Sequence, residues 1–270
     1  MEQKQIRISG SELAGCRTPA EFYQKKYLSL PLKKDYLDFG TACHAFMLEP
    51  EKFIQMIIVA KDLPEPDKLN QDGSVSKTGA NGAYLKQLKK DNPDKIVFEP
   101  HTYFQVLQYC NILTNLPEFN TLLDLENGMA EYKVEAIHET GILRTGRIDY
   151  AKKGKYLLDL KFAASIKDFD IAKSFAEFEY HMKAAYYLDM WNEQEGDNLD
   201  TFIFVMLEKN PDKPVARFMR VSDDDIRAGR SMYQQRLISI KNCFDTGKWV
   251  SESLETLQLP EWVYNRKTNF

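Results

Sequence analysis

Residues 131–162 constrain the fold most, because three consecutive runs in this stretch have the pattern of β-strands. Residues 131–138 alternate between polar and apolar with a period of two, and residues 142–150 and 156–162 are two further strand-like runs. Lys152-Lys153-Gly154-Lys155 joins the last two runs and supplies a glycine where a tight turn needs a positive φ. The stretch therefore predicts a three-stranded antiparallel meander.

The last two strands of this meander carry charged residues in an unusual place. Asp159 and Lys161 point to one face of their strand, because side chains alternate along a strand, and the other face is apolar. Arg147 and Asp149 likewise share one face of the preceding strand. A three-residue loop over 153–155 would place Asp149 directly opposite Asp159, whereas a two- or four-residue loop would place it opposite a leucine. We predict the three-residue loop.

Two carboxylates in this arrangement indicate a cation site. Neighbouring carboxylates repel each other unless a proton or a cation lies between them, and oxygen ligands select hard cations such as Mg²⁺ or Mn²⁺. A lysine on the same strand can orient or deprotonate a water, or neutralise charge on a phosphate. The residues are those of metal-assisted phosphodiester hydrolysis. A surface strand with the ion pairs Asp159–Lys161 and Arg147–Asp149 is the alternative that the spacing leaves open.

The flanking segments predict one α/β domain with a mixed sheet flanked by helices. Residues 8–30 have the pattern of a helix and its entry, with Ser9 or Ser11 as the cap and a break at Pro19. Helical patterns also cover residues 38–49, 101–125 and about 169–194. Residues 201–207 are apolar on both faces and predict a central strand. Residues 214–221 are its partner, and Ser222 caps a long helix that ends at Gly247. The order of these elements favours a single domain.

Composition excludes several classes of protein. The net charge is −4 over 270 residues, so the chain is not a uniformly basic nucleic-acid binder, although a local basic channel remains compatible with it. No apolar run reaches the roughly 18 residues of a membrane span, and no apolar signal segment follows the N-terminus, so we expect a cytoplasmic protein without membrane association. The four cysteines form no CxxC pair, which argues against a zinc ribbon or an iron–sulfur cluster.

Four further segments accompany the hairpin in a fixed order. They are a Ser-x-Ser-x-Leu segment at 9–13 with Thr18-Pro19, a Gly-x-x-x-His segment at 40–44 with Glu49-Pro50, a Tyr-His-x-x-Ala-Ala-x-Tyr segment at 180–187, and the endings at 246–249 and 259–262. Together with the hairpin they resemble the PD-(D/E)XK nucleases, which include the RecB-type nuclease domains, and most of all the RecE-like (exodeoxyribonuclease VIII-like) exonucleases of phages and prophages.

The resemblance implies a restriction-endonuclease-like α/β core in a single nuclease domain over 1–270. Its N-terminal helical part would reach about residue 126, the core would cover about 127–250, and 251–270 would be an irregular tail. The implied activity is metal-dependent 5′→3′ digestion of linear double-stranded DNA in a bacterial host cell, feeding a single-strand annealing protein during recombination. Relatives in this group form toroidal homo-oligomers around DNA. A RecB-like or CRISPR-associated nuclease with an iron–sulfur cluster is disfavoured by the absence of a cysteine cluster.

The resemblance also implies roles for individual residues. Lys161 is the implied catalytic lysine, and Glu131 corresponds to a glutamate near the metal. The implied ligands of Mg²⁺, or of Mn²⁺, are His44, Asp149, Asp159 and the Leu160 carbonyl, and the residues expected at the border of the site and the DNA are Arg147, Lys183 and Tyr187.

Lys183 departs from the family pattern, which has glutamine at this position. Glutamine donates and accepts hydrogen bonds, whereas lysine only donates and adds a charge. Lys183 could contact a phosphate, or pair with Glu131 or Asp159 and compete with the metal. The alternative to an active nuclease is therefore a weak or inactive DNA-binding phage protein that retains the nuclease fold.

Overall fold

The computed structural model describes residues 5–29, 37–71, 73–76, 78–209 and 215–249. The predicted tail at 251–270 lies outside these ranges. Ten α-helices are present in the described ranges, and a short π-helix, Gln24–Leu28, continues the second of them. The α-helices are α1 (Gly10–Ala14), α2 (Pro19–Tyr23), α3 (Leu37–Leu48), α4 (Pro50–Met56), α5 (Gly79–Asp91), α6 (Pro100–Thr114), α7 (Pro117–Leu122), α8 (Asp168–Glu177), α9 (Tyr180–Glu195) and α10 (Asp223–Thr246).

The strands form one large mixed sheet and one small parallel pair. The large sheet contains β1 (Arg7–Ser9), β4 (Met129–Ile137), β5 (Leu143–Lys152), β6 (Tyr156–Ala163), β7 (Phe202–Glu208) and β8 (Ala216–Arg220). The small pair consists of β2 (Ile57–Val59) and β3 (Ile96–Phe98). In the large sheet β4, β5 and β6 are antiparallel neighbours, β7 runs parallel to β6, and β8 pairs with β7 in the antiparallel direction. The predicted meander and the central position of the 201–207 strand are confirmed.

The turn between β5 and β6 has the predicted length. Lys152 pairs with Tyr156 across the hairpin, so three residues form the loop. Within the loop Gly154 has φ 70°, which a glycine adopts without steric penalty. The last paired residues before the strands separate are Tyr150 and Leu158. Continuing this register by one residue puts Asp149 across from Asp159, as the loop length predicts.

The sheet forks along β5. Its C-terminal end pairs with β6, whereas its N-terminal residues 143–145 pair with β1 in the parallel direction. Residues 146–149 therefore have β4 on one side and the opening between β1 and β6 on the other. An opening of this kind leaves room for side chains and for a ligand at the centre of an otherwise continuous sheet.

Helices cover both faces of the sheet and create two cores. One core joins the sheet to α1, α9 and α10, with Tyr186 and Trp191 fully buried in it. The other joins the sheet to α3, α6 and α7 through Tyr109 and Phe119. Strands β6 and β7 are covered on both sides, which explains their apolar composition. The predicted class, an α/β fold with a central mixed sheet flanked by helices, is confirmed.

One helix prediction is confirmed at its cap, and another is wrong in detail. In the segment 8–30 the predicted cap at Ser9 is confirmed, since Ser9 caps α1 with a capping box, and the entry to this helix is the short strand β1. The predicted helix over 169–194 is two helices, because Glu179 has a left-handed backbone (φ 51°, ψ 45°) between α8 and α9. The break at Glu179 has no neighbouring proline or glycine to signal it, so the pattern of apolar residues missed it. None of the helices in the described ranges combines the length and the apolarity that a bilayer span requires.

Candidate active site

Glu131 and Asp149 face each other across β4 and β5, at the place where both strands depart from regular geometry. The backbone of Glu131 has φ 51°, a conformation that costs a non-glycine residue about 1–3 kcal/mol and that occurs often at functional sites. β5 is irregular at Asp149. Ile148 and Tyr150 would lie on the same face of a regular strand, but Ile148 packs in one core and Tyr150 in the other. These two irregularities bring both carboxylates to the same side, where α3 lies.

His44 of α3 contacts both of these carboxylates. Its Nδ1 lies 2.8 Å from Oε1 of Glu131, and its Nε2 lies 2.9 Å from Oδ2 of Asp149. One ligand atom from each of the three residues lies within 4.8 Å of the others. Asp149 also accepts a hydrogen bond of 2.7 Å from the backbone N–H of Leu160, and Arg147 binds the second oxygen of Glu131 at 3.0 Å. The fork thus concentrates two acids and an imidazole in one place.

The electrostatics of this trio are those of a site that attracts a cation. Burial lowers the pKa of His44, but the hydrogen bonds to Asp149 and Glu131 outweigh burial and raise the pKa to about 10. Burial raises the pKa of Asp149, and the His44 contact outweighs it and lowers the pKa to about 2. A proton on His44 therefore occupies the position between two carboxylates that a divalent cation would also favour.

Asp159 lies on the next strand with a different set of partners. It is 2% exposed, and its Oδ2 accepts a hydrogen bond from Nζ of Lys161. Its Oδ1 lies 3.0 Å from Nζ of Lys183. Two ammonium groups thus hold one buried carboxylate. Of the two pairings expected for Lys183 besides a phosphate, the structure shows the one with Asp159.

Six of the predicted site residues line one cavity of about 390 Å³ at the fork. They are His44, Glu131, Arg147, Asp149, Leu160 and Lys161. Asp159 and Lys183 lie beside this cavity rather than in its wall. Sequence reasoning missed two further basic residues of the wall, Lys52 and Lys209. Nothing in their sequence context distinguishes them from the other lysines of the chain.

Tyr187 supports the site from α9. Its side chain is 4% exposed, and Nζ of Lys183 lies 5.3 Å from the centre of its ring. The ring packs against Gly146 of β5, where a Cβ would approach it to 2.4 Å. Only glycine at position 146 lets the helix lie this close to the fork. Tyr187 therefore positions Lys183 from a buried location, rather than bordering the cavity itself.

The donor atoms at the fork suit a hard divalent cation. Two carboxylates and one imidazole nitrogen are available from Glu131, Asp149 and His44, and such oxygen-rich sets favour Mg²⁺ or Mn²⁺. Cys16, Cys43 and Cys110 are buried in the cores, and no cysteine of the described residues lines the cavity at the fork. The residues at the fork therefore fit the metal expected from the sequence.

The sequence matches one family over most of its length. The profile of the PDDEXK-like domain of unknown function DUF3799 matches residues 12–257. The chain belongs to this family. The recognition of a PD-(D/E)XK fold from the hairpin and its flanking segments is therefore confirmed at the level of the family. No curated protein sequence matches the chain significantly.

Solved structures with a similar fold include an Eubacterium rectale protein assigned as an exonuclease. It is 15% identical, the TM-score is 0.57, and the match covers 92% of this chain and 91% of that one. The protein SSO0001 matches with 12% identity and a TM-score of 0.34, over 88% and 78% of the two chains. The first likeness shows a shared fold, and the second is too weak to support an argument. Family and fold together support a nuclease for this PDDEXK-like protein.

Proposed function

We propose that this PDDEXK-like protein is a metal-dependent deoxyribonuclease that hydrolyses DNA phosphodiester bonds. The observation that carries the proposal is the trio of His44, Glu131 and Asp149, whose ligand atoms lie within 4.8 Å of one another. Lys161 lines the same cavity. A structural ion-pair cluster would not need the strained backbone of Glu131.

In this proposal His44, Glu131, Asp149 and the Leu160 carbonyl would hold Mg²⁺ or Mn²⁺, with Glu131 as a ligand where the sequence analysis expects Asp159. When bound there, such an ion would supply Lewis-acid stabilisation for charge on the phosphate and would lower the pKa of a bound water. Arg147 fixes the carboxylate of Glu131 through its second oxygen. The Leu160 N–H fixes Asp149 in the same way, so both acids are oriented before substrate arrives.

Lys161 acts on the reacting phosphate or its water in this scheme. Burial lowers the pKa of Lys161, although the charge of Asp159 opposes this shift. A lysine with a lowered pKa exchanges a proton more readily near neutral pH. Asp159 keeps the ammonium in place through its contact with Nζ. If Asp159 served as a metal ligand, as the sequence predicts, its carboxylate would have to give up its contact with Lys161 or Lys183.

The finer part of the proposal is a 5′→3′ exonuclease on linear double-stranded DNA in phage or prophage recombination. It is supported by the five ordered sequence segments that resemble RecE-like exonucleases. A single-strand annealing protein as partner and a toroidal homo-oligomer belong to the same proposal. End-labelled duplexes test it, because a 5′→3′ enzyme releases a 5′ label at once and a 3′ label late.

Degradation of linear duplex DNA beside closed circular DNA tests the nuclease. We expect loss of the linear DNA alone with Mg²⁺ or Mn²⁺, no loss with chelator, and no loss with Asp149→Asn or Lys161→Ala. Glu135→Gln, an exposed acid on β4 outside the cavity, is the matched control and should retain activity. Cleavage that persists in chelator, or in Asp149→Asn, would contradict the proposed site.

The contact between Lys183 and Asp159 favours a second candidate function. A permanent ammonium on Asp159 lowers the negative charge that a metal would meet. The chain would then be a weak or inactive nuclease that binds DNA as a phage protein. Folded protein that binds DNA but cleaves none with any metal, and gains cleavage in Lys183→Gln, would establish this alternative.

A further inference from the structure

A second groove adjoins the candidate site on the other side of Asp159. It has a volume of about 750 Å³ and lies between the α1–α2 region and the junction of α8 with α9. Lys183 lines it and reaches Asp159 with its Nζ at 3.0 Å. Lys183 therefore links the groove to the candidate site.

An exposed aromatic ring lies in the wall of this groove. Phe178 is 52% exposed and stacks on Tyr180, with ring centres 5.7 Å apart and planes 28° apart. Tyr180 stacks in turn on the buried Phe204, at 5.2 Å and 28°. Nζ of Lys161 lies 5.6 Å from the centre of the Tyr180 ring. The stack thus runs from the groove to the proposed catalytic lysine.

A strained residue holds the two outer rings of the stack. Glu179 lies between Phe178 and Tyr180 and has a left-handed backbone. Its carboxylate is bound by both terminal nitrogens of Arg236, at 2.5 and 2.6 Å. The same guanidinium donates to the carbonyl of Leu13 at 3.1 Å. A bidentate pair that ties α1, α9 and α10 together maintains the strained turn and, with it, the orientation of the rings.

The charges of the groove are balanced. Three basic and three acidic residues line it: Arg17, Lys25, Lys183, Glu21, Glu177 and Glu179. Such a lining offers little net attraction to the two phosphate backbones of a duplex, whose binding depends on excess positive charge. A π-face, by contrast, suits an unpaired base, because every base can stack on an aromatic ring.

We infer that this groove binds an unpaired base of a DNA strand end, which stacks on the exposed ring of Phe178. The inference rests on the proposed nuclease function and specifies its substrate: a duplex end with an unpaired nucleotide beside the scissile site. Phe178 is then a substrate-positioning residue. Arg17 and Lys25 offer positive charge to the phosphates that flank the base.

Fluorescence of 2-aminopurine in a short 5′ or 3′ overhang tests the inference, with blunt duplex beside it and with Ca²⁺ or chelator in place of Mg²⁺. We expect quenching by the wild type on one overhang. Phe178→Ala should weaken binding of that overhang about 5- to 100-fold, as loss of one base–aromatic stack predicts. The affinity of Phe178→Ala for blunt duplex should lie within about twofold of the affinity of the wild type. Phe178→Trp should retain both the quenching and the affinity for the overhang.

Phe169→Ala is the matched control. Phe169 is 78% exposed on α8, the helix that ends immediately before Phe178, and does not line the groove, so its loss should leave overhang binding unchanged. Equal overhang binding by Phe178→Ala and the wild type, in protein that degrades linear DNA with metal, would overturn the stacking site and leave the nuclease function standing. Wild type that neither binds nor cleaves any DNA would overturn both.

Discussion

Asp159 is the residue whose surroundings matter most for the chemistry of this protein. Its carboxylate is buried and contacts the ammonium groups of Lys161 and Lys183. Burial lowers the pKa of Lys183, but the charge of Asp159 outweighs burial and raises it. Lys183 therefore stays charged at neutral pH. Its ammonium group adds a positive charge to the site at a position where the family's glutamine would be neutral.

The Lys183→Gln variant should bind Mn²⁺ more tightly than the wild type. An ammonium a few ångströms from a divalent cation repels it by about 1 kcal/mol or more, so we expect a roughly fivefold or greater gain in affinity. Isothermal titration of Mn²⁺ measures it. Lys173→Gln, the same charge change at an exposed position of α8, should have no effect. Weaker Mn²⁺ binding by Lys183→Gln would show that the ammonium supports the site.

Glu131→Gln should lose most of the affinity for Mn²⁺. The change keeps the size of the side chain but removes one of the two negative charges around His44, so we expect at least a tenfold loss. Glu135→Gln on the same strand is the control, since Glu135 pairs with Arg7 away from the cavity. Unchanged Mn²⁺ affinity in Glu131→Gln would exclude the trio as the metal site.

At the scale of elements, α9 and α10 determine how closely the helical layer lies on the sheet. Gly229 of α10 meets the backbone of α9, where a Cβ would lie 2.3 Å from the carbonyl oxygen of His181. Arg230 binds both oxygens of Asp189 between the same helices. Since α9 also carries Tyr187 and Lys183, the distance between α9 and α10 affects the positions of these two residues beside the candidate site.

Gly229→Ala should destabilise the protein by about 1–3 kcal/mol, the usual cost of overpacking. The gain of about 1 kcal/mol in helix propensity would not relieve a clash with backbone atoms. Urea unfolding measures the effect, with the m-value expected to stay constant. Ala228→Ser, at the neighbouring exposed position, should change stability by less than about 0.5 kcal/mol. A Gly229→Ala protein as stable as the wild type would contradict this packing.

At the scale of the whole molecule, the stability of the fold depends on pH through His138. This residue follows β4 and is 7% exposed. Burial and the nearby charge of Arg144 lower the pKa of His138 below its ordinary value of 6.5. The folded state therefore favours the neutral imidazole, and the unfolded chain takes up a proton first as the pH falls.

The pKa of His138 in the unfolded chain is about 6.5. The contribution of His138 to the free energy of unfolding should therefore be fully present above about pH 6.5 and should be lost as the pH falls below that value. Comparing His138→Gln with the wild type over this range isolates the effect, because His44 and the acids titrate equally in both proteins. The wild type should lose more stability than the variant between pH 7 and pH 5. Parallel curves for the two proteins would exclude a buried neutral His138.

The meander, its three-residue turn and the central strand followed from the sequence, because strand alternation and turn geometry depend on neighbouring residues. The same local pattern put Asp159 and Lys161 on one face of β6. The resemblance of the ordered segments around the hairpin added the fold class and six of the residues that line the cavity.

The tertiary structure alone decided how the charged groups pair. His44 meets Glu131 and Asp149 because α3 packs over the fork, and Lys183 meets Asp159 because Gly146 admits Tyr187. The left-handed residues Glu131 and Glu179 carry no local signal, since contacts distant in sequence maintain their strain. The spacing of apolar residues along the sequence indicates which side of a helix or strand is buried. The pairing of charges depends instead on which helices and strands pack together in the cores.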